Sequence, residues 1–389
     1  MASLYIRPRA RIFHGHDWVY ASEVERASGS PVDGSVVTLK DLRARPLGSA
    51  IYNSRSQIVA RRFSRQRQEL DPDFFRRRIA QAVQHRERHG MDPRLQRVVW
   101  SKSDGLPGVV LDRYGDLLVL QTLTLAMDQQ RMLIADAAAS VLGIDQVYER
   151  NDAPVRAAEG MDPRTGPLLG GVPGPFEVQY DGVRFTVDPS GGHKTGLYLD
   201  QRRNHGIVAA VAKGRRVLDC FSNQGAFALF CARVGASEVR AVESSADCCS
   251  AIRANAAVNG LAVEAIEANA FDFLKAEEQA GARYGLIILD PPPFARNKAA
   301  AGDALRGYKE LQLRALKMLD PDGILATFSC SHHVGEAAFL ETLVDASVDA
   351  RRHLRLLQRL TQPLDHPILP HLPETEYLRG LLLDALPGR

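Results

Sequence analysis

Ile287-Ile288-Leu289-Asp290-Pro291-Pro292-Pro293-Phe294 and Ile324-Leu325-Ala326-Thr327-Phe328-Ser329-Cys330-Ser331 decide how this chain folds. Each is an apolar run that ends on a residue able to do chemistry, and a helix-length gap separates them. That spacing predicts two parallel strands joined by a crossover helix. The carboxyl ends of neighbouring strands in such a sheet open onto one crevice, where ligands sit. Asp290 and Cys330 are therefore expected to meet there. Pro291, Pro292 and Phe294 would form a stiff rim beside them, because proline ends a ladder and fixes the local backbone.

Working outward, strands alternate with helices from Gly214 onward. Strands are predicted at 215–219, 239–243, 263–266, 286–290 and 324–329, and helices at 226–234, 246–258, 271–280 and 303–318. Leu354 to Leu360 and Tyr377 to Leu383 read as an antiparallel pair closing one edge. The pattern is that of a doubly wound α/β sheet. Before it, Ser3 to Phe63 is a run of short alternating segments broken by turn residues, a small β-rich module with strands at 36–39 and 58–63. A helix is expected from Asp71 to His89, with Asp71 as cap and Pro72 at the first position. Hairpins at 109–120 and 176–187 and an amphipathic helix at 127–142 make a central α+β region. The expected domains are residues 1–70, 71–188 and 189–389.

The 389 residues are 45% hydrophobic and 24% charged, the balance of a globular protein with chain enough for more than one core. No apolar run approaches the ~18 residues of a membrane span, and the first residues have no signal-peptide core. A cytoplasmic protein without a membrane partner, monomer or homodimer, is expected. Five cysteines, Cys220, Cys231, Cys248, Cys249 and Cys330, include no C-x-x-C pair. Neither a disulfide framework nor a zinc site is suggested, and no metal is expected.

Residues 1–100 carry 19 Lys and Arg against 10 Asp and Glu, whereas the remainder carries 30 against 36. The basic half is nearly all arginine. Clusters such as Arg61-Arg62, Arg65, Arg67 and Arg76-Arg77-Arg78 offer planar forks that suit phosphate. The plain alternative is a solvated basic face; the one-sided distribution points to RNA or DNA as partner.

Val217-Leu218-Asp219-Cys220-Phe221-Ser222-Asn223-Gln224-Gly225-Ala226 is a strand, an acid and a turn whose single glycine opens a helix. A dinucleotide needs several glycines there for its pyrophosphate to approach backbone amides, so a nicotinamide dehydrogenase fails on this count. S-adenosylmethionine carries a cationic sulfonium and an amino group instead of phosphate, and suits an acid with one glycine. Asp219 would face its methionine end, with Phe221, Ser222 and Gly225 in the same turn. Glu243, ending the second strand, would take the ribose hydroxyls, and Asn269, after the third, would read the adenine edge. Otherwise Asp219 and Glu243 cap helices and Asn269 is a turn residue.

The acid and thiol suit a pyrimidine ring. Cytosine is a poor nucleophile at C5, and a thiolate adding to C6 activates it while an acid stabilises charge at N3. Cys330 could be that thiolate and Asp290 that acid; a small buried hydrophobe at a strand end is the competing reading of Cys330. Uracil C5 methylation shares the thiol step, exocyclic amine methylation needs no thiol, and a non-catalytic RNA-binding assembly factor would need neither residue.

Ordered motifs run the length of the chain: His16-Asp17-Trp18-Val19-Tyr20, Ser103-Asp104-Gly105-Leu106-Pro107-Gly108, Tyr148-Glu149-Arg150-Asn151-Asp152, His193 to Arg202, Arg306-Gly307-Tyr308-Lys309, Asp365-His366-Pro367 and Glu376-Tyr377-Leu378-Arg379-Gly380. With the Asp290 loop and Cys330, the chain resembles the bacterial 23S ribosomal RNA cytosine-C5 methyltransferases that carry an N-terminal PUA domain. The resemblance implies a PUA module that binds RNA, a central domain and a class I (Rossmann-like) domain using S-adenosylmethionine. It implies Cys330 as covalent nucleophile, Asp290 facing the base, and Lys194, Thr195, Asp200, Gln201 and Arg202 in the cofactor and substrate wall. The chain departs from the pattern at Pro293, where lysine is expected, at His193 for glutamine, at Ser222-Asn223-Gln224-Gly225 for Ser-Tyr-Thr-Gly, and at Asn269 for aspartate.

Overall fold

Val36–Lys40 buries Val37 and Leu39 and leaves its other side chains partly exposed, the period of two that a one-sided sheet imposes. It belongs to a six-stranded sheet in the spatial order Trp18–Val19, Ala60–Ser64, Pro46–Tyr52, Val36–Lys40, Ser3–Ile6, Val24–Ser28. All its pairings are antiparallel except that of Ser3–Ile6 with Val36–Lys40. The computed structural model describes residues 2–189, 196–295, 298–331 and 333–386. These form two units, one taking the described parts of Met1–Val178, Val187–Leu199 and Leu364–Glu376, the other those of Gln179–Thr186, Asp200–Pro363 and Tyr377–Arg389. No helix among the described residues is long and apolar enough to cross a membrane.

The first unit also holds a five-stranded sheet, ordered Arg164–Leu169, Val147–Asn151, Leu117–Thr122, Val109–Tyr114, Leu95–Trp100. The helix Pro72–Arg88 begins as its sequence dictates, with the Asp71 carboxylate accepting from the Phe74 amide and Pro72 at the first position. Its buried face is Phe74, Phe75, Ile79 and Ala82. The expected helix at 127–142 is instead two, Leu125–Gln129 and Arg131–Leu142, parted at Gln130. Asp128 anchors the first by itself, because its carboxylate accepts from Thr122, Arg156 and Arg164. Further on, Arg86 is fully buried, forking onto Asp104 at 2.6 and 2.8 Å and donating to the Asp365 carbonyl at 2.7 Å. That hydrogen bond ties the segment 364–376 to the first unit.

The second unit is built on β1 (Arg216–Cys220), β2 (Glu238–Glu243), β3 (Glu264–Glu267), β4 (Tyr284–Leu289), β5 (Leu319–Ser329), β6 (Leu354–Thr361) and β7 (Arg379–Ala385). Their order is β3-β2-β1-β4-β5-β7-β6, parallel as far as β5, with β7 antiparallel to both neighbours. Helices α1 (Arg202–Ala209), α2 (Ala226–Arg233), α3 (Ala246–Asn259), α4 (Ala270–Gln279), α5 (Ala301–Met318) and α6 (Glu336–Asp349) alternate with them. The α/β expectation holds, including the antiparallel edge pair. β4 is buried at all six positions, as a strand covered on both faces must be. Its side chains join Leu218, Leu311, Ala315, Leu325, Phe339 and Leu343 in one core.

Phe176–Tyr180 and Val183–Val187 form a two-stranded hairpin that lends its tip to the second unit. There the Tyr180 ring stacks on Phe185 at 5.2 Å, and its hydroxyl meets His205 Nδ1 at 2.9 Å.

Gly380 on β7 pairs with Phe328 of β5 and Leu360 of β6. A Cβ there would lie 2.5 Å from the Phe328 ring and 2.9 Å from Leu360 Cβ. Gly380→Ala is expected to destabilise the protein by about 1–3 kcal/mol through overpacking, read as a lowered urea midpoint at unchanged slope.

Candidate active site

Leu289 of β4 lies opposite Thr327 of β5 in a parallel register, so the residues that follow each strand leave the sheet at the same end. Asp290 follows β4 and Cys330 follows β5. The Cys330 thiol lies 3.6 Å from the Pro291 carbonyl oxygen. Cys330 is half-buried while the other four cysteines are buried. Burial pushes the thiols of Cys220, Cys231, Cys248 and Cys249 up, which makes them poor nucleophiles. Pro291 is buried, Pro292 and Pro293 are exposed, and Phe294 is half-buried with its ring 4.9 Å from that of Tyr308.

Asp290 accepts at Oδ2 from Gln201 Nε2, 3.0 Å away. Gln201 Oε1 accepts in turn from Asn204 Nδ2 at 2.6 Å, and the same Nδ2 donates to the Thr361 carbonyl at 3.2 Å. A backbone carbonyl can only accept, so it fixes which way the Asn204 amide faces, and through it the Gln201 amide. Gln201 and Asn204 are 3% and 1% exposed. Asp290 therefore always meets a donor at Oδ2. Gln201 was legible in the sequence; Asn204, one helical turn later, is the residue behind it that pattern reading missed. Arg202 stands with its guanidinium 5.0 Å over the Tyr180 ring, and Asp200 accepts from the Tyr377 hydroxyl at 2.8 Å.

The turn after β1 folds tightly. Phe221 and Asn223 both have left-handed backbones, φ +64° and +51°, followed by Gly225 at +84°. Non-glycine residues in that region are strained and cluster at ligand sites. Gly225 is needed for its own φ and because a Cβ would lie 3.2 Å from Ile252 of α3. Asp219 Oδ2 accepts from Ser222 Oγ at 2.5 Å and from the Ala228 amide at 3.1 Å. Its Oδ1 is buried without a hydrogen-bond partner among the described residues. Glu243, at the end of β2, accepts from the amides of Asn223, Ser244 and Ser245 at 2.9, 2.7 and 3.1 Å, which locks the first turn to the second. Asn269 caps α4, its Oδ1 accepting from Phe271 and Asp272. The oxygen is committed to the cap, which is the turn-and-cap role the sequence also allowed.

The two groups are joined. The Asp290 amide donates to the Cys220 carbonyl at 3.5 Å, and the rings of Phe221, Phe271, Phe294 and Tyr308 follow one another at 6.4, 5.9 and 4.9 Å. Lys194, Thr195 and His193 lie outside the described residues.

The arginine clusters divide. Arg61 pairs with Glu159, Arg62 is buried against Asp17, and Arg78 donates to the Phe63 carbonyl. These hold the fold, because a buried guanidinium must be paired. Arg65, Arg67, Arg76 and Arg77 stay exposed.

Residues 91–383 match the S-adenosylmethionine-dependent methyltransferase family, and residues 7–65 match a PUA-like domain. The chain belongs to the S-adenosylmethionine-dependent methyltransferases. It is 38% identical over 382 residues to Ribosomal RNA large subunit methyltransferase I of Tolumonas auensis, covering 95% of this chain and 96% of that one. The protein of the same name from Aeromonas salmonicida is 38% identical over 379 residues, covering 95% of each. In three dimensions a Streptococcus mutans protein assigned to the SAM-dependent methyltransferases superposes with a TM-score of 0.85 over 99% of this chain and 100% of that one, at 20% identity. The expectations of an S-adenosylmethionine-dependent methyltransferase fold with a PUA-like module are thereby met.

The turn fits the cofactor. A buried carboxylate with an unpartnered oxygen lacks a cation or donor, which the methionine end of S-adenosylmethionine offers. Burial pushes the Asp219 carboxyl up from 3.8 to about 7. The buried charge therefore disfavours the folded state increasingly as pH rises from about 4 to 7, and fully above 7. A cationic ligand that favours the ionised carboxylate releases this proton on binding. Affinity for S-adenosylhomocysteine, which keeps the cationic amino group, is thus expected to rise up to about tenfold per pH unit from pH 5.5 to 7 and then flatten. Calorimetry across that range checks it, and Asp219→Asn is expected to remove the slope.

Proposed function

We propose that this methyltransferase modifies C5 of a cytosine in large-subunit ribosomal RNA through a covalent adduct with Cys330. One observation carries the reading: the single half-buried thiol of the chain lies at the strand end beside Asp290. The relatives named Ribosomal RNA large subunit methyltransferase I and the PUA-like match support RNA as substrate.

Asp219, Phe221, Ser222, Gly225, Glu243 and Asn269 would hold S-adenosylmethionine, with Asp219 toward its methionine end. When bound, the cofactor supplies an electrophilic methyl group on a sulfonium. The Cys330 thiolate adds to C6 of a base taken out of its stack. The C6–S bond forms while the C5–C6 double bond supplies the electron pair that leaves C5 nucleophilic. Asp290, steadied at Oδ2 by Gln201, faces the N3 and N4 edge, and a proton on its other oxygen offsets charge gathering at N3. After C5 has gained the methyl group, loss of the C5 proton restores the double bond and expels the thiolate. Pro291, Pro292 and Phe294 form the wall against which the flat ring rests. Pro293 stands where the family pattern has lysine and brings no charge to that wall, so the neutral base edge carries more of the recognition.

Cys330→Ala is expected to abolish transfer, by about 10³-fold or more, while leaving S-adenosylhomocysteine affinity within twofold. Mapping 5-methylcytosine in ribosomal RNA from cells with the protein, without it and with the variant checks both site and chemistry. Methylation retained by the alanine variant would remove the covalent step, and a modified uracil or exocyclic amine would replace the substrate reading.

RNA binding is assigned to the exposed Arg65, Arg67 and Arg77 at the end of the PUA-like module and the start of the following helix. Replacing all three by glutamine is expected to weaken RNA binding. The slope of log K against log salt should become shallower by roughly 0.7–0.9 for each phosphate no longer neutralised. Filter binding from about 50 to 300 mM salt reads both.

A further inference from the structure

Two serines flank Cys330, and neither reaches solvent. Ser329 and Ser331 are both 0% exposed, and the Tyr308 side chain of α5 that meets them is 1% exposed. Ser329 Oγ donates to the Tyr308 hydroxyl at 3.0 Å, and the same hydroxyl lies 3.0 Å from Ser331 Oγ. Ser331 Oγ also accepts from the Phe294 amide at 3.1 Å and the Ala295 amide at 3.5 Å, and the Ser331 amide donates back to Ser329 Oγ at 3.4 Å. In one proton ordering the Ser331 amide gives to Ser329, Ser329 to Tyr308 and Tyr308 to Ser331 Oγ, which takes the Phe294 amide as well. Burial pushes the Tyr308 phenol up, and the charges at Cys330 and Asp290 add to the effect, so it stays a neutral donor.

The phenol ring extends the same tie. It packs on Phe294 at 4.9 Å and on Phe339 of α6 at 5.2 Å. One side chain thus touches the strand end that carries the thiol, through two hydroxyls, and the proline loop, through a ring and through Ser331. These are the two pieces that must close on opposite parts of one base.

We propose that Tyr308 is the positioning residue of this site, its hydroxyl bolting the Ser329-Cys330-Ser331 strand end to the Asp290–Phe294 loop so that thiol and base wall keep one mutual placement. Tyr308 touches neither base nor methyl donor. Its effect is to hold the sulfur at attack distance from C6, where a displacement near 1 Å can cost ~10²-fold in rate. The inference rests on the reading of Cys330 as nucleophile.

The test compares wild type, Tyr308→Phe and Ser331→Ala on an RNA fragment carrying 5-fluorocytidine. Fluorine at C5 cannot leave as the proton does, so the C6–S adduct accumulates and is counted as a slow-migrating band. Tyr308→Phe keeps the ring and removes only the hydroxyl. Its rate of adduct formation, and its kcat on ordinary RNA, are expected to fall about 10- to 100-fold. KM for RNA, S-adenosylhomocysteine affinity and the melting temperature should stay near wild type. Ser331→Ala should match it, and the double variant should lose little more. Adduct formed at equal rates by wild type and Tyr308→Phe overturns the bolt alone. A loss that tracks cofactor affinity or melting temperature also overturns it, because then the hydroxyl merely supports the fold. Absence of adduct with wild type overturns the nucleophile reading and the bolt with it.

Discussion

Everything at this site hangs on the parallel pairing of β4 with β5, in which Leu289 stands beside Thr327. Side chains alternate along a strand, so a register slip of one residue would turn every one of them to the opposite face. Burial prevents that slip. All six residues of β4 are buried, as are those of β5 from Gly323 onward, and the same apolar positions bind the sheet to α5 and α6. The half-buried Asp290 and Cys330 at the strand ends can be polar because the strands behind them are apolar and buried.

The second constraint is polar. Asp290, Gln201 and Asn204 end on a backbone carbonyl, while Ser329, Tyr308 and Ser331 end on backbone amides. Backbone groups cannot flip or exchange roles, so the amide chain inherits its direction from the Thr361 carbonyl and the hydroxyl network is held in place by the loop amides. The Asp219 carboxylate differs, with one oxygen satisfied and one left over. Support by paired groups and an oxygen without a partner among the described residues thus stand side by side in one site.

Much of this was legible in the sequence, for physical reasons. Apolar runs of strand length alternating with helical periods announce a doubly wound sheet, and Asp219, Glu243, Asp290 and Cys330 stand at strand ends that such a sheet must expose. The break at Gln130 was not legible, because what pins Asp128 are Arg156 and Arg164, arginines distant in sequence. The charge count of the first hundred residues could not show which arginines are already paired. Arg61 and Arg62 look like phosphate forks when charges are read one after another, yet their partners are Glu159 and Asp17. Gly225 reads as a turn residue opening a helix, and the closeness of Ile252, far along the chain, is a further reason for glycine that the sequence could not show. Asn204 carries no signal of its own, and the motif around Tyr308 marks that residue without a role, since a helical tyrosine and a helical asparagine are ordinary until the fold shows what their hydroxyl and amide reach.

The chain passes between its two units four times, at about residues 178, 186, 199 and 363, before a last return at 376. A gene fragment cut at Asp200 would keep the catalytic sheet, but forfeit the hairpin tip whose Tyr180 meets His205 and carry along the strap 364–376 that belongs to the other unit. Excision with scissors along the sequence therefore cannot yield the second unit as a clean module. A single cut anywhere in the chain leaves at least one of the two units with a piece of the other attached.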